Sequence, residues 1–406
     1  MTAYSDRRVL TRRALLAATC AGATLAYAGR TSAMGAAPNK LVVIIARGAM
    51  DGLSVTVPYA DRDYAEMRGG LAIPPPDQDG GALDLAEGFG LHPALKTLHM
   101  LHGRGQMRFA PAVALPVRIR SHFDAQDILE SGGGAEAAQP SGGWLNRALT
   151  ATGAAPAGLS IGAQIPIILR GDALVSSWAP GGQVRGDDRI VASLQDLYAD
   201  DPLLARNLAQ GLATEAKAIM SGDGAPVQRN DARRLGGAVA GLMLGESGAD
   251  VVAVSLDGWD THAGQRTQLQ TRLNRLDQLI SGLHEGLGEA WTRTVVIIAT
   301  EFGRTVRVNG TQGTDHGTAS SLLLAGGALK TGGLIGDWPT LAPGKLYENR
   351  DLAPTLDIRS IFKGVLRDHL GADRAALDTR VFPESAFSAP PADDLIAISP
   401  NLTPLS

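Results

Sequence analysis

The residues of this 406-residue chain best suited to chemistry lie between Asp250 and Ser320. Three short segments there each adjoin an apolar run: Gly258-Trp259-Asp260-Thr261-His262, Glu301-Phe302-Gly303-Arg304-Thr305 and Thr314-Asp315-His316-Gly317. With Asp257 they offer six groups of ligand type, Asp257, Asp260, His262, Glu301, Asp315 and His316. Carboxylates mixed with neutral imidazoles suit zinc, manganese or a related divalent ion, whereas calcium takes oxygen almost exclusively. Asp260 and His262 form a D-x-H unit whose two side chains can point the same way from an extended loop. In Asp315-His316 one residue can meet the ion while the other is its hydrogen-bonding partner.

Two other places add candidates. Asp51 follows the first apolar run in Arg47-Gly48-Ala49-Met50-Asp51-Gly52, where a carboxylate reads either as a metal ligand or as the cap of a turn. Ser121, His122, Asp124 and Asp127 open a predicted helix, where unpaired backbone N–H groups and the helix dipole favour an anion. Ser121 is therefore a candidate nucleophile or oxyanion-binding group, with an ordinary N-cap as the alternative.

Buried strands of a parallel sheet must position these groups. Lys40 to Ala46, Val251 to Leu256, Thr294 to Ala299 and the run Ser320 to Leu324 are short, Val-, Ile- or Leu-rich and bounded by polar residues, as strands covered on both faces are. Leu269, Leu273, Leu276, Ile280, Leu283 and Leu287 follow helical spacing, so a crossover helix joins two of them. In an open α/β sheet the loops at the carboxyl ends of the strands meet in one crevice, which would bring dispersed ligands together. Phe109 to Leu115 reads as a strand made irregular by Pro111. Leu159 to Gly171 reads as two short strands about a turn, Tyr59 to Gly90 as a proline-rich surface excursion, and 193–245 as a helical covering segment. The expected organisation is one α/β domain over 37–388, followed by a structureless tail over 389–406.

At the N-terminus, Thr11-Arg12-Arg13-Ala14-Leu15-Leu16 opens an apolar stretch to about Tyr27, with small residues from Ser32 to Ala37. This resembles a twin-arginine export signal over 1–36, and the expectation is a protein exported folded to the periplasm or beyond, with no membrane span after cleavage. Cys20 is the only cysteine and lies within that segment. The remainder has no thiol for a disulfide or a nucleophile, so oxygen and imidazole nitrogen must hold any metal. The formal charge of −4 becomes about −8 without residues 1–36, which disfavours nucleic acid and anionic membrane as partners.

The order of motifs resembles a bacterial exported family of unknown function related to alkaline phosphatases and sulfatases. The segments that carry the resemblance are Asp51-Gly52-Leu53, Ser121 to Asp127, Gly258 to His262, Glu301 to Thr305 and Thr314 to Gly317, and they span the exported chain. The resemblance implies a three-layer α/β/α sandwich of alkaline phosphatase type, with one or two divalent ions and a nucleophile at a helix start. By position it implies Asp51, His262, Glu301 and His316 as metal ligands, with Asp260 or Asp257 replacing an aspartate whose place Gly258 takes. Ser121 with His122 falls near the nucleophile segment, and His122 is a candidate general acid. Arg304, Arg47 or Arg118 could hold a tetrahedral anion bidentately. Glu301-Phe302 stands where the enzymes have Asp-His, which favours one ion over two. The missing cysteine excludes formylglycine chemistry.

Two functions follow as expectations. One is a metal-dependent hydrolase or transferase acting on phosphate or sulfate esters, including those of an envelope or extracellular polysaccharide. The other is a non-catalytic, metal-stabilised binding or assembly protein of the same fold. A metal-free α/β hydrolase would need a G-x-S-x-G elbow between a strand and a helix, and no elbow is assigned.

Overall fold

Alternate residues of β1 (Lys40–Arg47) enter opposite apolar clusters. Val42, Ile44 and Ala46 pack into one, Leu41, Val43 and Ile45 into the other, because successive side chains of a strand face opposite ways. The computed structural model describes residues 37–397 apart from 135–141, 153–156, 181–187, 222–226, 229 and 246–247. The segment read as an export signal lies outside them.

The remaining strands are β2 (Thr56–Val57), β3 (Leu83–Ala86), β4 (Phe89–Leu91), β5 (Met107–Ala114), β6 (Gly158–Ile161), β7 (Val175–Trp178), β8 (Val251–Asp257), β9 (Thr294–Ala299), β10 (Ser320–Ala325) and β11 (Leu356–Asp357). Eight of them form the central sheet in the order β11-β5-β10-β9-β1-β8-β6-β7. β10 runs antiparallel to β5 and β9, and the other pairings are parallel.

Helices α1 (Lys96–Gly103), α2 (His122–Ser131), α3 (Trp144–Ala151), α4 (Asp188–Tyr198), α5 (Pro202–Ser221), α6 (Ala232–Met243), α7 (Gln265–Leu287) and α8 (Ile358–Leu370) cover the sheet and its margins. Apolar residues of α1, α6 and α7 join the cluster on one face, and those of α2, α3 and α8 join the other. The fold is thus a three-layer α/β/α sandwich with a mostly parallel sheet. Helix α7 buries Leu269, Leu273, Leu276, Ile280, Leu283 and Leu287 and carries the chain from β8 to β9, the two neighbours of β1. No helix among the described residues is long and apolar enough to cross a membrane.

Three local readings change. Ile167–Leu169 forms a 3-10 turn, because Ile168 and Leu169 bury their side chains and the Ile168 N–H donates to the buried Glu130 carboxylate at 3.1 Å. The second strand forms instead at β7. The stretch 59–90 is no mere excursion: β4 pairs with both β2 and β3 in a small sheet, and Tyr64 and Ile73 enter a third apolar cluster. The tail packs as far as Ala397, with Leu395 fully buried and its carbonyl accepting from the Lys330 N–H, so apolar burial holds it down. Pro111 lies opposite the register shift between Ser320 and Leu322, where its missing N–H breaks no ladder bond.

One buried group makes the fold acid-sensitive. His369 in α8 is fully buried, donates from Nε2 to the Lys40 carbonyl at 2.9 Å, and is pushed down to about 4 by burial. An unfolded histidine titrates near 6.5, so the unfolded chain binds the extra proton between those values and stability falls as pH falls through that window, by on the order of 3 kcal/mol for this group. His92, also lowered to about 4 by burial, adds in the same window. Urea unfolding from pH 7 to 4.5 should therefore show a shallower loss of stability in His369→Gln than in the wild type; parallel curves would refute the assignment.

Candidate functional site

β1, β8 and β9 are parallel, so Gly48, Gly258 and Thr300 leave the sheet at the same edge. Because β10 is antiparallel, Thr314 to Gly317 enter it from that edge, and because β5 is antiparallel to β10, Leu115 to His122 leave there as well. The topology alone thus gathers the loops that bear His122, Asp260, His262, Glu301 and His316. The loop after β8 continues an extended alternation in which Trp259 and Thr261 are buried while Asp260 and His262 face outward. Trp259 anchors the loop, its N–H donating to the Arg47 carbonyl.

Asp260 Oδ1 is the centre of the cluster. It lies 2.9 Å from His262 Nε2, 3.3 Å from His316 Nε2 and 3.4 Å from His122 Nε2, and the two nitrogens of His262 and His316 are 3.0 Å apart. Candidate ligand atoms of His122, Asp260 and His316 all fall within 4.8 Å of one another. Each imidazole turns its other nitrogen to an oxygen: His122 Nδ1 to Glu301 Oε1 at 2.8 Å, His316 Nδ1 to the Arg120 carbonyl at 2.7 Å, and His262 Nδ1 to Asp315 Oδ1 at 3.2 Å. Those oxygens only accept, so each Nδ1 carries the proton when the ring is neutral and each Nε2 presents a lone pair. His122 Nε2 is buried with no hydrogen-bond partner among the described residues.

Donors about 2.0–2.1 Å from a tetrahedral zinc stand roughly 3.3 Å from one another, close to the 3.3 and 3.4 Å that separate Asp260 Oδ1 from His316 and His122; these three residues gather closely enough to share one divalent cation, with His262 beside Asp260 and His316. The donor set of three imidazoles and a carboxylate suits zinc or manganese.

Glu301, expected to be a ligand, stands behind His122. Its Oε1 accepts from the Gly48 N–H at 2.8 Å, from Gln126 Nε2 at 3.0 Å and from His122, and its Oε2 accepts from Thr300 Oγ1 at 3.0 Å. Burial opposes its ionisation, but the bonds from His122 and Gln126 prevail and hold its carboxyl below the usual range. The Glu301 bond is also the main cause that raises the His122 pKa, against the opposing effect of burial, whereas burial lowers His316. His122 turns Nδ1 to Glu301 and Nε2 toward Asp260, so the general-acid role expected of it would have to act from Nε2. Phe302 stacks on the His122 ring at 4.9 Å.

Arg304 also differs from expectation. It is buried, Nη1 donates to Asp260 Oδ1 at 2.6 Å, Nε donates to Thr314 Oγ1 at 3.2 Å, and Nη2 donates to the Thr314 carbonyl. It holds Asp260 and cannot turn to clamp a substrate anion. Burial opposes ionisation of Asp260, and the Arg304 bond and charge outweigh it, keeping the carboxyl below its ordinary range. Arg47 is likewise spent on Glu130, Gln126 and Ser255. Ser121 caps α2 without a side-chain capping bond and adjoins His122 in the chain. Asp257 stands exposed at the end of β8, outside the cluster. Gly158-Leu159-Ser160-Ile161-Gly162 spells G-x-S-x-G, but it begins with strand β6 and Ser160 is fully buried, so it is no exposed elbow.

A family profile described as "Protein of unknown function (DUF1501)" matches residues 38–379. The chain belongs to the DUF1501 family. No curated protein matches it. Among solved structures it is similar to an alkaline phosphatase from the Antarctic bacterium TAB5, at 10% identity and TM-score 0.34 over 73% of this chain and 94% of the other. It is also similar to a putative sulfatase from Bacteroides thetaiotaomicron VPI-5482, at 8% identity and TM-score 0.36 over 73% and 66%. A third is the C-terminal periplasmic domain of EcEptC from Escherichia coli in complex with Zn, at 10% identity and TM-score 0.34 over 72% and 74%. Likenesses this loose say what the chain is similar to and assign it no activity.

Asp51 belongs to a buried network one step away. Its Oδ2 accepts from Arg68 Nη2, from Ser54 Oγ at 2.8 Å and from Gln265 Nε2. These bonds occupy Oδ2 alone; Oδ1 is buried with no hydrogen-bond partner among the described residues, and Asp51 is not among the residues whose ligand atoms gather at Asp260. Gln265, fully buried at the start of α7, is the residue that sequence reasoning missed. Its Oε1 accepts from Thr261 Oγ1 at 3.0 Å and from Thr314 Oγ1 at 2.6 Å. One amide therefore pins both loops, through the residue between Asp260 and His262 and the residue before Asp315-His316. Its only sequence signal was a polar side chain three residues past His262, on a helix whose apolar stripe starts at Leu269. Gly313 permits the approach of the two loops, since a Cβ there would lie 2.1 Å from the His262 carbonyl oxygen.

Replacing that amide leaves two buried hydroxyls without their acceptor and Asp51 short of a donor, at about 1–3 kcal/mol for each group that stays unsatisfied. Gln265→Leu should lower stability by roughly 2–4 kcal/mol in urea unfolding, and Gln265→Glu, which sets a second carboxylate against Asp51, should be worse. Wild-type stability in either variant would show that the clamp carries nothing.

Proposed function

We propose that this protein is an exported metal-dependent hydrolase or transferase acting on phosphate or sulfate esters, with one divalent ion held by His122, Asp260, His262 and His316. The observation that carries the reading is the orientation of the three imidazoles: each Nδ1 is committed to an oxygen acceptor, so three lone pairs and a carboxylate oxygen are left facing one another. Acceptors so close repel unless a cation lies among them. Bound there, a zinc or manganese ion would supply Lewis acidity, polarising an ester oxygen or lowering the pKa of a water or hydroxyl.

The protein's own residues do the rest. Glu301, Asp315 and the Arg120 carbonyl fix the rings, and Arg304 fixes the carboxylate from the protein side. Ser121, at the start of α2, offers a hydroxyl beside His122 where the helix N-terminus favours developing negative charge. It is the proposed nucleophile. Export by the twin-arginine route would deliver the protein folded and loaded.

The non-catalytic reading keeps one specific support: Arg304 and Arg47, which could have gripped a tetrahedral anion, are both turned into the protein. The two readings share the ion and part at turnover.

Protein purified from its native export route should carry about one zinc or manganese ion per chain by elemental analysis, and His316→Ala or Asp260→Ala should lose it. Glu301→Gln, which keeps shape but weakens the grip on His122 Nδ1, should lower metal affinity by about 10- to 100-fold, as loss of a ligand's hydrogen-bonding partner does. A metal-free protein whose folding and ion uptake ignore these changes would end the metal reading. Hydrolysis of aryl phosphate or aryl sulfate that disappears in Ser121→Ala with metal content intact supports the enzyme. Full metal occupancy without turnover on either ester would leave the binding protein standing.

A further inference from the structure

On the same edge of the sheet as the imidazole cluster lies a cavity of 610 Å³ that the chemistry above does not use. Leu115 and Pro116, which follow β5, and Leu356 and Asp357, which form β11 and lead into α8, stand on its walls. The loop from Leu115 to Ser121 is shared by both places: its first residues line the cavity, while the Arg120 carbonyl holds His316 and the loop ends at His122. The two places are thus joined by one short loop.

The cleft is stiff and polar. Pro116, Pro354 and Pro383 stand in its wall, each with φ fixed by its ring, so little ordering is left to a ligand. Arg359 is 4% exposed, gripping Asp357 from Nε at 3.1 Å and from Nη2 at 2.8 Å and reaching Ser388 Oγ at 3.3 Å. Exposed Arg118, whose Nη1 donates to the Leu115 carbonyl, has no carboxylate partner among the described residues, and exposed Glu384 is also on the wall. Two cations and two anions balance. A bare anion meets Asp357 and Glu384, a bare cation meets Arg118 and Arg359, and an apolar body covers Arg118 and Glu384 without pairing them, while Arg359 and Asp357 keep each other. A chain of hydroxyls, donor and acceptor at each carbon, matches such a lining. Phe387 does not line the cavity but lies in the chain between Glu384 and Ser388, which do, and is fully exposed, an aromatic face on which a sugar ring can stack.

We propose that this cavity binds an oligosaccharide segment of the substrate, so that the ester acted upon at His122, Asp260 and His316 is a substituent of a glycan. The inference rests on the proposed function for the reacting end and on the cavity alone for the sugar. Affinity electrophoresis of the full exported chain through gels containing dextran, polygalacturonate, alginate or chondroitin sulfate tests it. At least one of these should retard the wild type, and Arg118→Ala and Phe387→Ala should each weaken that retardation at least fivefold while leaving metal content unchanged. No retardation by any of the four, or retardation equal in both variants, overturns the proposal, as does retardation abolished by chelation, which would place the glycan at the cluster instead. Retardation lost in both variants of a protein that holds no metal would keep the glycan site and discard the metal reading, so the two fail separately.

Discussion

Three imidazole Nε2 atoms lie within 3.4 Å of one carboxylate oxygen, Asp260 Oδ1, and the rest of the site is arranged to keep them there. Left alone, three imidazole lone pairs and a carboxylate oxygen would rotate apart or share a proton. They are held because each is fastened from behind: His122 by Glu301, His262 by Asp315, His316 by the Arg120 carbonyl, and Asp260 by Arg304. The fastening residues are in turn buried and fully bonded, Glu301 by Gly48, Gln126 and Thr300, and Arg304 by Thr314. Electrostatic cost at the centre is offset by polar satisfaction around it, the arrangement expected where a cation completes the set.

This constraint explains why so many charged residues lie in the interior of one sheet edge. Arg68, Asp51 and Gln265 extend the bonded network beneath the two ligand-bearing loops, and none of them contacts solvent. A buried ion pair such as Arg68–Asp51 is a weak source of stability, because desolvation cancels most of its attraction. Its use here is geometric. It gives Gln265 a fixed acceptor, which orients the amide so that its oxygen faces both threonines. Gly48 serves the same end: at φ +113° it turns the chain after β1, presents its N–H to Glu301, and lets the backbone pass so close to Asp260 that a Cβ would lie 2.6 Å from the Asp260 nitrogen.

Much of the fold could be read directly. β1, β8, β9 and β10 are unbroken apolar runs, and α7 repeats its leucines at helical spacing, because a strand covered on both faces and a helix covered on one leave different periodicities. The reading failed where long-range contacts overrode local pattern. Ile167 to Leu169 has strand-type composition and becomes a turn because Glu130, thirty-eight residues earlier, takes the Ile168 N–H. The tail beyond Ala389 has loop composition and packs because the cluster that includes Leu329 has room for Leu395 and Ile396.

For the site, the sequence by itself determined which kinds of group were available and on which strand ends: no thiol beyond Cys20, histidines and carboxylates after β8 and before β10, and an acid after β9. Residue type and local period carry that much, since they depend on a few neighbouring residues. Only the tertiary structure decided which of those groups face the centre and which stand behind it. Asp51 and Glu301 were as plausible as ligands as Asp260, and His122 less so, until the partners of each were known. Arg68 claims Asp51, Gly48 and Gln126 claim Glu301, and the β5–α2 loop delivers His122. A carboxylate's role depends on what else reaches its oxygens, and those partners stand 17 residues away for Asp51 and 175 and 253 residues away for Glu301, brought alongside by the fold and not by anything adjacent in the chain.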